Sequence, residues 1–150
     1  MKLIKVAAFA AIVVSGSALA GLVPQYGGGH GGGGGSTTGP ESTMSIYQYG
    51  GGNMATALQS DARNSDLTIK QYGGANAADV GQGSDTSSID LLQKGYANNA
   101  TIDQWNSKNS EVEVRQFGAS NGALVNQSAS DSSVTVHQVG FGNNATASQY

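Results

Sequence analysis

A chain of 150 residues with 23 glycines and only 11% charged residues has room for one small domain, and it fits neither a charge-rich disordered tail nor an ordinary globular enzyme. It has no cysteine, so disulfides cannot compensate for a small core. Without Lys2 and Lys5, five cations face ten carboxylates, and the resulting charge of about −5 disfavours nucleic acid as a partner.

The first segment is residues 1–20. Lys2 and Lys5 precede an apolar run over 6–14, too short for a bilayer-spanning helix, and Ala18-Leu19-Ala20 supplies an A-x-A site. This pattern predicts a secretory signal peptide cut after Ala20. The rival reading is a buried strand or uncleaved anchor over 6–14. Residues 21–41 follow, with Tyr26-Gly-Gly-Gly-His30, five more glycines over 31–35, and Pro40. They carry too little apolar surface to offset the entropy of ordering, so a flexible, disordered segment is expected, one that another protein could read as an address.

From residue 42 onward the chain repeats Ser-x5-Gln-x4-Asn-x5-Gln five times. The copies, with their fixed residues, occupy 42–64 (Ser42, Gln48, Asn53, Gln59), 65–86 (Ser65, Gln71, Asn76, Gln82) and 87–109 (Ser87, Gln93, Asn98, Gln104). The last two occupy 110–131 (Ser110, Gln116, Asn121, Gln127) and 132–150 (Ser132, Gln138, Asn143, Gln149). Copies begin 23, 22, 23 and 22 residues apart while the internal spacing stays constant, so each is read as one unit stacking on the next.

Inside each copy the apolar residues recur with period two, the mark of a strand with one buried face. Met44 and Ile46, then Ala55 and Ala57, start the series, and Val134, Val136, Ala145 and Ala147 end it. The opposite face is polar and varies, as in Thr43, Ser45, Tyr47 against Glu111, Glu113, Arg115. Glycine-rich turns such as Tyr72-Gly-Gly-Ala75 separate the two strands of a copy and offer positive-φ positions. Two strands cannot bury an inner face alone, whereas five stacked copies can. The expected fold is all-β, a β-solenoid of five strand-turn-strand repeats with rungs about 4.8 Å apart. Ser, Gln and Asn then fall above their equivalents in structural ladders that satisfy buried amides and fix register.

Catalysis finds no candidate residues: the two histidines are His30 in the glycine tract and His137 on an outward position. No cofactor or metal site is expected, since His30 stands alone and no phosphate-loop or calcium-repeat pattern is present. One outward column mixes Tyr47, Lys70, Leu92, Arg115 and His137, which argues against an ice-matching face. Asp66, Asp90 and Glu113 are not expected to share an outward column, and Trp105 is read as surface packing. Neither terminal copy has the look of a polar cap, so both terminal rungs should expose strand edges that template another chain. The fifth copy has no Asp, Glu, Lys or Arg, leaving it without gatekeeping charge. The expected stable state is a cross-β fibre along the solenoid axis.

These features, the leader, the glycine segment and twenty motif positions in order, closely resemble the curli subunit family, secreted functional amyloids of enteric bacteria, and within it the major rather than the minor curlin. The resemblance implies an extracellular cell-surface fibre (fimbrium) reached through periplasm and outer membrane, serving biofilm matrix, surface adhesion and aggregation. It implies as partners further copies of the chain, a minor curlin nucleator, an outer-membrane secretion pore that reads about residues 21–42, a periplasmic chaperone, and host matrix proteins. It further implies that Gln48, Asn53, Gln138 and Asn143 respond to nucleation. Met44 departs from the larger branched residues found at its position elsewhere. The alternatives are the nucleating minor curlin, which should have a basic, degenerate last copy, a secreted solenoid binding module, and a disordered surface protein.

Overall fold

The computed structural model describes residues 9–13, 21–22, 42–60 and 62–150. The expected cleavage point after Ala20, His30 and most of the glycine segment lie outside them. Each repeat gives two strands: β3 (Thr43–Tyr49) and β4 (Met54–Gln59), β5 (Asp66–Gly74) and β6 (Ala77–Asp85), β7 (Ser88–Tyr96) and β8 (Asn99–Lys108), β9 (Glu111–Ala119) and β10 (Gly122–Gln127), β11 (Ser133–Phe141) and β12 (Asn144–Gln149). No helix occurs among the described residues.

The first strands of the repeats pair in parallel in the order β11-β9-β7-β5-β3, and the second strands pair as β4-β6-β8-β10-β12. The chain is therefore a five-rung β-solenoid, each rung contributing one strand to each of two facing sheets. Register follows the motif: Gln48 pairs with Gln71, Gln71 with Gln93, Gln93 with Gln116 and Gln116 with Gln138. Eighteen of the twenty inward apolar residues, from Met44 to Val136, form one buried core between the sheets, and Ala145 and Ala147 of the last rung are partly buried against it. A slip of one residue would turn this whole set outward, so the core itself enforces the register.

The alternating 23 and 22 spacing resides in the loop that returns each rung to the next. Five residues lie between Gln104 and Ser110 but four between Gln82 and Ser87. The mismatch is absorbed as a register shift between β6 and β8 at Gly83 to Asp85. There the Trp105 ring lies over Gly81 and Gly83, where a Cβ on Gly83 would sit 2.0 Å from Cε3 of the ring. Trp105 thus packs against a neighbouring rung.

One expectation needs correcting, and two others are refined. The first rung is not bare on its outer side: β1 (Phe9–Val13) pairs antiparallel with β4, and β2 (Gly21–Leu22) pairs antiparallel with β3. An unpaired parallel edge accepts any extended segment within reach, and the leader is within reach. Asp66, Asp90 and Glu113 do not share one outward column, but two of them do: Asp90 and Glu113 are directly paired between β7 and β9, while Asp66 pairs with Ser88 in the next column. Glycine takes both positive-φ positions in the first and fifth turns, at Gly50 and Gly52 and at Gly140 and Gly142, but only the first position in the three turns between. Gly73 has φ +112, yet the second position is Ala75 at +54, and Ala97 and Ser120 repeat this in later rungs.

Candidate functional site

The residues that set this chain apart are polar side chains aimed into an apolar core. Of the twenty ladder positions, all are buried except Ser42, Ser132 and Gln149, which are half-buried, and Asn143, which is exposed. A buried amide must spend its donors and acceptor internally, and here the partner is the same amide one rung away.

In the first glutamine column Nε2 of Gln48 donates to Oε1 of Gln71 at 2.7 Å, Gln71 to Gln93 at 2.8 Å, Gln93 to Gln116 at 2.9 Å and Gln116 to Gln138 at 2.9 Å. The second column does the same from Gln59 to Gln82 at 2.8 Å, Gln82 to Gln104 at 3.1 Å, Gln104 to Gln127 at 2.7 Å and Gln127 to Gln149 at 3.2 Å. Every donor points toward the higher-numbered rung. The sense is fixed by the backbone, because the second N–H of these amides is taken by a main-chain carbonyl, which can only accept. Gln71 donates to Met54 O at 2.8 Å, Gln93 to Ala77 O at 2.9 Å, and Gln104 to Ser110 O at 3.2 Å.

The asparagine column runs the other way. Nδ2 of Asn76 donates to Oδ1 of Asn53 at 2.9 Å, Asn98 to Asn76 at 3.0 Å, Asn121 to Asn98 at 2.9 Å and Asn143 to Asn121 at 3.0 Å. Here too the backbone decides: the main-chain N–H of Asn76 donates to Asn53 Oδ1 at 3.1 Å, so that atom must be the oxygen. The first four asparagines also reach up, as Asn121 Nδ2 does to Gly140 O at 3.1 Å. The serines add a fourth line, with Ser65 N donating to Ser42 Oγ and Ser87 N to Ser65 Oγ, both at 3.2 Å.

Sequence reasoning missed a fifth column. Gly50, Gly73, Gly95, Gly118 and Gly140 all have φ between +111 and +132. In the first four a Cβ would fall 1.8 to 2.0 Å from the carbonyl oxygen of the glycine one rung on; at Gly140 it would meet only Asn143 Nδ2, at 3.4 Å. The signal was legible as glycine two residues after the first glutamine of every copy, Gln48 to Gly50 through Gln138 to Gly140.

The two ends of the stack are complementary but not alike. In the first rung Oε1 of Gln59 is buried with no hydrogen-bond partner among the described residues. In the fifth, Gln138 uses one N–H on Gly122 O at 2.9 Å, and among the described residues no further rung is stacked above it. Gln48 and Asn53 stand in the first rung and Gln138 and Asn143 in the last, so these four are held at opposite ends rather than brought together. Among the described residues no group of three or more His, Asp or Glu is arranged to hold a metal.

The family model for the curlin associated repeat matches residues 39–73, 85–118 and 107–140, which take in all the ladder residues except Asn76, Gln82, Asn143 and Gln149. The chain belongs to the curlin repeat family. Among curlin relatives it is 80% identical over 89 residues to the major curlin subunit of Escherichia coli (strain K12), covering 59% of each chain. It is 70% identical over 86 residues to the major curlin subunit of Salmonella typhimurium, covering 57% of each. The major curlin subunit of Escherichia coli O157:H7 is 79% identical over 91 residues, 59% of this chain and 60% of that one. The matched stretch thus spans less than two thirds of the length of these curlins.

Proposed function

We propose that this chain is a structural, non-enzymatic subunit that polymerises end to end, rung five of one copy receiving rung one of the next, into an extracellular fibre of the curli type. The observation that carries the reading is Gln59 Oε1, a buried acceptor with no partner among the described residues, at the end of a ladder in which every other rung has that oxygen filled. Gln149 of a second copy is the donor that the ladder calls for. The open column at Gly140 supports the same contact, as it leaves room for one more turn. Because the acceptor end and the donor end differ, the contact is heterologous and does not close into a ring, which yields a filament. Removal of residues 1–20 would take β1 from the β4 edge and bare that edge of the first rung for addition, leaving β2 on the β3 edge to be displaced.

Similarity to proteins named major curlin subunits supports a surface-fibre role in biofilm matrix and adhesion. By the same resemblance a minor curlin nucleator acts at the ends through Gln48, Asn53, Gln138 and Asn143. Residues 21–41 then serve as the export address for an outer-membrane pore after a periplasmic chaperone has kept the chain unfolded. Fibre diffraction on aligned material from residues 21–150 tests the core of this reading. Reflections near 4.8 Å along the axis and about 10 Å across it are expected; a folded monomer that stays soluble at high concentration would overturn it.

A further inference from the structure

Asn121 stands directly before Gly122, the single Asn-Gly pair of the chain. Such a pair is chemically labile in an unfolded peptide. The glycine nitrogen, unhindered by a side chain and on a freely moving backbone, attacks Cγ of the asparagine. A C–N bond forms, the side-chain nitrogen leaves as ammonia, and water then opens the five-membered succinimide to aspartate or isoaspartate.

The folded rung forbids this attack. Gly122 N donates to Asn143 O at 2.7 Å, and Asn121 is 1% exposed with its amide spent on both sides. Nδ2 donates to Asn98 Oδ1 at 2.9 Å, Phe117 O at 3.3 Å and Gly140 O at 3.1 Å, while Oδ1 accepts from Asn143 N and Nδ2. The attacker is fastened to the fifth rung, and the target to the third and the fifth. We propose that Asn121 is a modification site of the unfolded chain alone, a chemical clock that retires subunits which wait too long to fold.

The product explains why conversion retires the subunit. An aspartate at 121 presents a carboxylate to three oxygens that formerly received N–H groups, in a site closed to water, and a buried anion facing acceptors is strongly destabilising. Isoaspartate also adds a backbone carbon and breaks the register of β10. Asn109 is different: it is exposed and donates to Asp131 Oδ1 at 3.0 Å, so conversion there sets two carboxylates together in screening solvent rather than in a closed site. Nor does the fold require the lability. The paired positions beside Gly122 are Asn99 and Asn144, its φ is not positive, and an added Cβ would meet only Asn144 Oδ1, at 3.1 Å on an exposed side chain.

The test holds the full chain in guanidinium at mildly alkaline pH beside a folded sample, and follows Asn121 by peptide mapping and isoaspartate assay. Conversion at Asn121 should be at least an order of magnitude faster unfolded than folded, and faster by a similar factor than at Asn76 in the same unfolded sample. After denaturant removal the aged chain should lose β-sheet circular dichroism and seeded growth in proportion to the fraction converted. A Gly122→Ala chain aged identically should keep both, and Asn121→Asp made directly should lack both without ageing. Equal conversion in folded and unfolded chains, or a converted chain that folds and adds to seeds normally, would overturn the proposal. The seeded-growth readout rests on the fibre reading, which the unaged chain tests separately; mapping and circular dichroism do not depend on it.

Discussion

Gln59 donates to Gln82 across 2.8 Å of buried space, yet its own oxygen, equally buried, accepts nothing among the described residues. The same side chain is thus a finished ladder step in one direction and an unfinished one in the other. This separates what stabilises a subunit from what joins two subunits, and the separation can be measured.

Interior and terminal glutamines should differ in kind. Gln71→Ala removes a donor and an acceptor between two fully buried neighbours and should cost about 2–4 kcal/mol of folding stability. Gln149→Ala touches a half-buried residue and should change melting little. Per folded molecule, however, Gln138→Ala and Gln149→Ala should slow growth more than Gln71→Ala or Gln116→Ala. Seeded growth at matched folded concentration checks this, and equal rates across the four would sink the idea.

The glycine column predicts a chain terminator. Gly118→Ala forces a Cβ to 1.9 Å from Gly140 O, which should cost about 3 kcal/mol or more and prevent the last two rungs from forming. Gly140→Ala strains only its own backbone, by about 1–3 kcal/mol, and should leave the rungs intact. Such a subunit adds through its first rung and then presents a Cβ where the next turn must sit. Mixed in as a minor component with unaltered chain, it should stop growth well before the supply is exhausted. Growth at the unmixed rate would place the contact elsewhere.

A carboxylate in the ladder should make folding depend on pH. Gln104→Glu faces Gln127 Oε1 and Ser110 O, two acceptors that only a protonated acid can satisfy, and only one at a time. Burial and those oxygens raise the folded-state pKa above the ordinary glutamate value of about 4.3, so the folded state binds the proton more tightly. Stability is then fully present below that ordinary value and is lost as pH rises through the raised one. Against Gln104→Ala, whose own deficit has no such titration, the advantage in melting temperature held at pH 3 should shrink and then reverse toward about pH 7. A constant difference would mean that the side chain escapes to solvent.

Much of the fold was legible because the physics that sets it is periodic. Alternation of Leu67, Ile69 with Thr68, Lys70 can be satisfied only by a strand with one wet face, and constant spacing from Ser to Gln forces equivalent strands into register. What the letters do not carry is direction. Nothing in the sequence says that Gln93 donates upward and Asn98 downward; that depends on where the carbonyls of Ala77 and the N–H of Asn98 point once the rung has closed. The offsets of the repeat do suffice to set Asp66 apart from Asp90 and Glu113 and to pair the latter two. The strand over Phe9–Val13 against β4 follows from proximity, which the repeat pattern does not encode.

The opposed senses of the ladders bear on length. Side-chain amides aligned in one direction would add their moments rung after rung, as peptide groups do in a helix, and would build partial charge at the two tips. Two glutamine columns pointing one way are partly offset by the asparagine column pointing the other. A stack wired in this way can lengthen with less electrostatic penalty accumulating at its tips.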